Sequence, residues 1–539
     1  MKNKILLWSR FVIIALLIII QFFWLVMIFY KFSYKFTYAN YAIRVVAVLV
    51  VLHIVNRNMN PNNKLLWTFL ILLSPVVGLF LYLFFGRSGA IIENHKKMDA
   101  IKTEMLKYIY QTPEVNQNIE MQDKTVYRQM KYINDWSGYP VYGNTDTKYY
   151  KCGEEMFPDM IVALEQAKKF VFMEYYIIES GYMLNRILEI LERKVQAGVD
   201  VRLIYDDIGS IGTVPKDFAK AMEAYGIKCR PFQPFQPFMS VLFNNRDHRK
   251  MTIVDGKVGF IGGMNLADEY INHVERYGYW KDTAVRLKGE AVRSLTLMFL
   301  AMWEYVGGKR EKVTFFFSRN KKVEKEKSSI LYQDVSLTPE EAICVNVDDK
   351  RKRLDLSGGY VQPYCDCPFD EEYVGETVYL NIINQALDYV YIFTPYLIID
   401  NEMLTSLMNA AKRGVDVRIV TPGVPDKRVI YWITQSFYRV LIEGGVKIYQ
   451  YRPGFLHAKS FLCDDKIATV GSVNLDYRSL YLHFECGVFL YQCKAVEEMK
   501  ADCLEVFACS DEVTISFCEN QHVLIQLFQG VMRLLAPLL

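Results

Sequence analysis

Two short segments of the chain carry histidine and lysine in one arrangement. His248-Arg-Lys250 leads to Asp255 and then to Gly262-Gly263-Met-Asn265, and His457-Ala-Lys459 leads to Asp464 and then to Gly471-Ser472-Val-Asn474. Both fit His-x-Lys-x4-Asp-x6-Gly-[Gly/Ser]-x-Asn. Residues i and i+2 of a strand point to one face, so each histidine should project with its lysine into one cleft. Asp255-Gly256 is a hairpin signal, and the returning strand should bring Asn265 back beside His248. Small residues at Gly262, Gly263, Gly471 and Ser472 are expected to let a ligand approach closely.

Two ammonium groups and two amides around one anion suit a phosphodiester, whose charge during substitution rests on its non-bridging oxygens. One imidazole can attack phosphorus, which splits one hard substitution into two easier ones. The other can protonate the leaving alcohol and then deprotonate the incoming one. No metal or other cofactor is expected, since lysine is a poor ligand and no His/Cys/Asp cluster has ligand spacing. For Asp255 and Asp464, a turn or lysine-orienting role competes with direct chemistry.

The elements that must hold these residues repeat. Phe170–Ile178 matches Val390–Ile398, a β-rich apolar run in each copy. Helical stretches follow, Asn185–Ala197 and Asn401–Arg413, and then Gly198-Val-Asp-Val-Arg-Leu-Ile204 and Gly414-Val-Asp-Val-Arg-Ile-Val420. Glycine at the helix C-cap and an immediate strand make each copy a βαβ unit, with a mixed or mainly parallel sheet. A second β/α element ends at Gly226-Ile-Lys228 and Gly445-Val-Lys447, just ahead of each motif. The charge-rich segment Lys309–Arg353 looks like an exposed connection. The expected fold is therefore α/β, with two homologous halves forming one cleft behind an N-terminal helical membrane anchor.

Of 539 residues, 52% are hydrophobic, yet 63 Lys+Arg and 60 Asp+Glu require a large water-facing surface. A disordered chain and a polytopic transporter are both excluded, so the apolar excess must be local. Phe11–Tyr30 and Leu65–Phe85 are each long enough to cross a hydrocarbon core of about 30 Å. Ala42–Val55, with Arg44 and His53, is a weaker run between them. Residues 1–87 read as an anchor with two or three spans in a cell membrane. The other expected divisions are a juxtamembrane linker over 88–140, a first half over 141–308, a connection over 309–354, a second half over 355–510 and a tail helix over 511–539. Eleven scattered cysteines with no metal-site pair suit a reducing compartment, which favours a cytoplasmic body. Phe232–Phe238, stiffened by proline, would dip into lipid or pack over the cleft. Val523–Leu539 would rest on the membrane or dock on the body.

The duplicated motif resembles the signature of the phospholipase D superfamily. RDHRKMTIVDGKVGFIGGMNLADEY, TPYLIIDNEML, GFLHAKSFLCDDKIATVGSVNLDYRSL and PNNKLLWTFLILLSPVVGLFLYLFFGR look like bacterial cardiolipin synthases, over roughly residue 40 to the C-terminus. The resemblance implies a catalytic set of His248, Lys250, Asp255, His457, Lys459 and Asp464, with His248 as nucleophile and His457 as acid/base. It also implies phosphate contacts from Asn265 and Asn474, and a downstream carboxylate orienting each histidine, at positions matching Asp282 and Glu485. Departures are small: Asp247 stands where Asn is common, and Ser472 replaces the second Gly. The implied reaction joins two phosphatidylglycerols into cardiolipin and glycerol. Rivals are a hydrolytic phospholipase D, a transferase with another acceptor such as serine, a nuclease and a non-enzymatic membrane scaffold. A net charge of +3 and the anchor suit lipid rather than nucleic acid.

Overall fold

The computed structural model describes residues 37–57, 61–86, 89–234, 245–308, 313–316, 358–370 and 372–536, with Met27 and Arg310. The expected span over 11–30 lies outside them, Met27 apart, as do most of the 309–354 connection and the loop beyond Pro234. Met1–Gly89 and Ala90–Leu539 are separate compact units.

In the first unit, Tyr38–Asn56 is the one helix among the described residues long and apolar enough to cross a membrane. It contains the run that reads as the weaker one in the sequence. Leu65–Phe85 does not continue as a single helix. Pro61–Leu73 stops at Ser74, Pro75–Leu81 follows, and Tyr82–Gly86 forms a wider turn. Pro75 supplies no N–H, which breaks the ladder at that point.

The second unit holds two sheets. The first comprises β1 (Thr145–Tyr150), β2 (Phe170–Tyr175), β3 (Asp200–Asp206), β4 (Lys228–Phe232), β6 (Met251–Val254), β7 (Val258–Gly262) and β9 (Ala284–Gly289); β5 (Arg246–Asp247) and β8 (Tyr279–Lys281) lie outside it. The second comprises β10 (Tyr360–Asp366), β11 (Tyr389–Phe393), β13 (Asp416–Pro422), β14 (Lys447–Tyr451), β16 (Ser460–Cys463), β17 (Ile467–Gly471), β19 (His483–Tyr491) and β20 (Ser510–Glu512). β12 (Leu397–Ile398) pairs with β18 (Leu475–Asp476), and β15 (Gly454–Leu456) pairs with β8, outside both sheets.

Strand order is β1-β9-β7-β6-β2-β3-β4 in one sheet and β10-β19-β17-β16-β11-β13-β14 in the other, with β20 added at its edge. Corresponding strands occupy corresponding places, so the internal repeat is a structural one. The sheets are mixed: along the strand orders above only β2-β3-β4 and β11-β13-β14 run parallel. The hairpins that carry the motifs return antiparallel, which is why the sheets are not mainly parallel. Gly198 and Gly414, at φ +84° and +98°, end the βαβ helices in the left-handed conformation and admit β3 and β13 at once.

Helix Val292–Tyr305 is buried on nearly every side, as a helix with apolar residues around its whole circumference must be. It shares one core with Phe172 and Ile253 of the first sheet and Phe393 and Val488 of the second. The stretch 88–140 is no linker. Gly89–Leu106, Pro113–Gln122 and Lys124–Ser137 are helices that bury Met98, Ile101, Ile119, Met130 and Ile133 against the body. The buried residues Val126, Met130, Ile133 and Ser137 mark one face of the last of them.

Asp255 and Asp464 are not at the cleft. Each sits at the far end of its motif strand, about 16 Å beyond the lysine at ~3.3 Å per residue. Asp255 accepts from the backbone N–H groups of Lys168, Lys169 and Phe170 at 2.7–2.9 Å. Asp464 accepts from Leu387, Asp388 and Tyr389 at 2.8–2.9 Å. Both carboxylates lash the start of the first βαβ strand to the hairpin turn, where φ values of 53° and 49° suit aspartate. Asp255→Ala and Asp464→Ala should each destabilise the body by about 1–3 kcal/mol and leave turnover per folded molecule within about threefold. Thermal unfolding alongside specific activity checks this; a loss above a hundredfold without a melting shift would restore a chemical role.

Candidate active site

The two halves meet through their motifs. β5 pairs in parallel with the start of β19, and β15 pairs in parallel with β8. Each motif histidine then binds through its backbone to the other half: His248 N–H donates to Phe484 O at 2.9 Å, and His457 N–H to Lys281 O at 2.6 Å. The residues His248–Lys250 and His457–Lys459 themselves bridge two strands, and none of them lies within one.

This docking crosses the side chains over. His248 Nδ1 lies 2.8 Å and 3.1 Å from the Glu485 oxygens, and His457 Nδ1 lies 2.6 Å from Asp282 Oδ2. Both carboxylates are fully buried. The carboxylate of His457 is thus an upstream residue, contrary to the expectation of a downstream one. Where Nδ1–H is donated to the carboxylate, the ring keeps its Nε2 lone pair for chemistry; Lys459 Nζ also stands 2.8 Å from His457 Nδ1.

The carboxylates are held differently. Asp282 Oδ1 accepts from Thr283 N–H at 2.8 Å, and a Cβ on Gly263 would stand 2.2 Å from it. Glu485 is one methylene longer, and Ser472 occupies the place of Gly263. Ser472 Oγ donates to Glu485 Oε2, and Ser479 Oγ donates to Oε1 at 2.5 Å. Gly262 and Gly471 serve strand packing: a Cβ would meet Thr283 O or Cys486 O at 2.4 Å. These small residues make room for protein atoms and not, as expected, for a ligand. Asp247 completes a buried cluster in which Arg249 contacts Asp247 Oδ1 at 3.1 Å and Glu174 Oε1 at 2.5 Å.

Lys250 and Lys459 are buried beside the rings, each bonded through Nζ to the carbonyl of its own motif histidine. Burial lowers Lys250 to about 7 and Lys459 to about 8. Burial, reinforced by the lysine charges, also pushes His248 well below its ordinary value and His457 to about 4. An anion among these four groups would raise the proton affinity of all of them.

A cavity of about 400 Å³ is lined by His248, His457, Asn265 and Asn474, so the structure brings those four together. Asn265 is engaged by the protein, accepting from Ile177 N–H at 2.9 Å and donating to Tyr270 OH at 2.7 Å. Asn474 Oδ1 is buried without a hydrogen-bond partner. Tyr176 and Tyr270 set their ring edges against His248 and His457 at 4.9 and 5.5 Å.

One further cavity residue, His483, stands outside both motifs. Its ring centre lies 5.5 Å from that of His248, and neither ring nitrogen has a hydrogen-bond partner. Nδ1 stands 3.7 Å from Glu485 Oε1, beyond a good bond. Burial lowers His483 to about 4. The repeat held the signal: His483-Phe-Glu485 aligns with Trp280-Lys-Asp282, so a histidine replaces a tryptophan. His248, His483 and Glu485 offer donor atoms within 4.8 Å of one another. The Glu485 oxygens are already engaged by His248, Ser472 and Ser479, which leaves a cation little to bind.

Paired imidazole, carboxylate and lysine groups on duplicated mixed sheets define a phospholipase D-type phosphodiester transferase. A family model described as "Cardiolipin synthase, PLD-like domain" matches residues 160–303 and 379–505, and a "Phospholipase_D-nuclease N-terminal" model matches 45–87. The chain is 31% identical to a cardiolipin synthase of Alkalihalophilus pseudofirmus, over 93% of each chain. It is 42% identical to an uncharacterized protein of Streptococcus mutans, over 91% of this chain and 99% of the other. The fold also matches the crystal structure of a phosphatidylserine synthase from Haemophilus influenzae, with a TM-score of 0.55 at 15% identity, covering 77% of this chain and all of that one. The chain belongs to the cardiolipin synthase family of phospholipase D-like phosphatidyltransferases.

Two outcomes follow. Gly263→Ala should displace Asp282 and lower kcat about a hundredfold, as a 1 Å misplacement does, with a smaller effect on KM; unchanged steady-state kinetics would contradict it. His457 and His483 titrate near 4 when folded and near 6.5 when unfolded. Between these values the unfolded chain binds more protons, so stability is lost as pH falls from 6.5 towards 4. Melting temperatures across that range should show the slope, and His483→Asn should flatten it.

Proposed function

We propose that the chain transfers a phosphatidyl group from one phosphatidylglycerol to another, forming cardiolipin and glycerol. The observation that carries this reading is the pair of buried histidines, each fixed by a carboxylate and facing one cavity, with two lysines buried beside them, in a chain of this family. His248 Nε2 attacks phosphorus as the bond to the headgroup glycerol oxygen breaks. Protonated His457 gives its Nε2 proton to that oxygen, and glycerol leaves. The free hydroxyl of a second phosphatidylglycerol then passes its proton to His457 and attacks phosphorus. The N–P bond breaks and His248 is regenerated.

The electrostatics support this division. His457, lowered to about 4 in the cleft, needs the anionic phosphodiester beside it to hold a proton at neutral pH. Lys250 and Lys459 acquire full charge on the same binding event, and stabilise the non-bridging oxygens. Asn474 Oδ1 and the nitrogens of His483, otherwise unsatisfied, offer hydrogen bonds to a polar headgroup. Tyr38–Asn56 and the segment after it would anchor the chain in the cell membrane, in more than one pass, with the body in the cytoplasm and both lipids confined to two dimensions.

The test is the purified chain supplied with phosphatidylglycerol alone. Cardiolipin and glycerol should appear in equal amounts. Phosphatidic acid without cardiolipin would make the chain a hydrolase. Acid quench should trap the phosphatidyl adduct in the wild type and not in His248→Ala. Loss in His457→Ala and persistence in His248→Ala would reverse the two roles.

A further inference from the structure

The last helix, Val523–Leu535, packs one side on the body and turns an apolar side outward. Its inner face docks on the body: Phe528 meets Trp432 edge-on at 5.7 Å, Arg533 lies 4.5 Å from the Phe437 ring, and Gln529 is buried. On the outer face Val523, Leu524, Leu527 and Val531 are 74%, 68%, 66% and 51% exposed. At ~100° per residue these four fall within an arc of roughly 100°, so they form one stripe.

The stripe leads to the cleft. Ala536, one residue past the helix, lines the catalytic cavity together with Lys427 and Ile430. At the other end Gln521 donates to Gln435 Oε1 at 3.3 Å. The helix therefore runs antiparallel to Arg428–Gln435, and both reach the cleft at the same end. There the neighbouring helix presents exposed Lys427, Arg428 and Val429. No acidic residue occurs between Val523 and Leu535.

We propose that this outer face lies against an anionic lipid surface, seated at the headgroup–acyl boundary, and sets the cleft mouth at the level from which phospholipid enters. The inference rests on the phosphatidyltransferase reading, which makes both reactants bilayer lipids. Apolar side chains beside two cations, without a carboxylate on the helix, match the charge of a phosphatidylglycerol bilayer. The contact belongs to the body itself and is separate from the N-terminal anchor.

The test uses the full chain in phosphatidylglycerol vesicles that carry a photoactivatable diazirine on the acyl chain, with labelled peptides mapped by mass spectrometry. Labelling is expected within 523–536 as well as within 38–56. In the triple variant Leu524→Ser/Leu527→Ser/Val531→Ser, labelling of 523–536 should be lost. Turnover of vesicle lipid should fall at least fivefold, while turnover of short-chain phosphatidylglycerol dispersed as monomers stays unchanged. Labelling confined to 38–56 in the wild type would overturn the proposal, as would a cross-link joining the terminal helices of two copies or an equal loss on both substrates. If the triple variant melts well below the wild type, the wild-type labelling pattern decides alone. A chain that turns over neither substrate would overturn the transferase reading, while the labelling still reports lipid contact independently.

Discussion

Each motif imidazole is held by a carboxylate from the opposite half of the body, His248 by Glu485 and His457 by Asp282. A buried carboxylate without partners is costly, and so is a buried imidazole with a free N–H. Neither half can therefore finish its own site. Docking of β5 on β19 and β15 on β8 brings the four groups together and bonds each histidine's backbone across the same seam. The buried helix Val292–Tyr305 and the core that spans both sheets keep that seam closed. Specific geometry at the rings thus depends on packing far from them.

The duplication is not a perfect two-fold. Asp282 is short and Gly263 leaves it room, whereas Glu485 is longer and Ser472 bonds to it. Trp280 packs at 5.5 Å from the His457 ring, and His483 holds the matching place beside His248. One imidazole works in a largely apolar wall and the other beside a second, unsatisfied imidazole. Two copies of one motif can thereby divide the roles of nucleophile and acid/base. Burial reinforces the division, because four basic groups without an anion are all held below their ordinary proton affinities.

Much of this was legible in the residues. The His-x-Lys pairs, Asn265, Asn474 and the repeated βαβ units all stood in the spacing, and the structure gathers His248, His457, Asn265 and Asn474 at one cavity. The failures share a cause: they concern partners distant in the chain. For Asp255 and Asp464 a turn role and direct chemistry competed, because the backbone N–H groups that take their oxygens lie 75 or more residues away. The glycines after each hairpin read as ligand clearance, yet they clear space for Asp282 and for a neighbouring strand. The 88–140 helices carried an apolar face that only a body surface could explain. His483 was hidden because a single histidine carries no pattern until it is aligned with Trp280.

The crossed pairing is tested most directly by double-mutant cycles on folding stability, with Asp282→Asn and Glu485→Gln each combined with His248→Gln and His457→Gln. Residues in contact couple by about 0.5–3 kcal/mol, and distant ones add within about 0.5 kcal/mol. The structure predicts coupling for Glu485 with His248 and for Asp282 with His457, and near-additivity for the other two combinations. Coupling that instead joins Asp282 to His248 and Glu485 to His457, each pair within its own half, would contradict it.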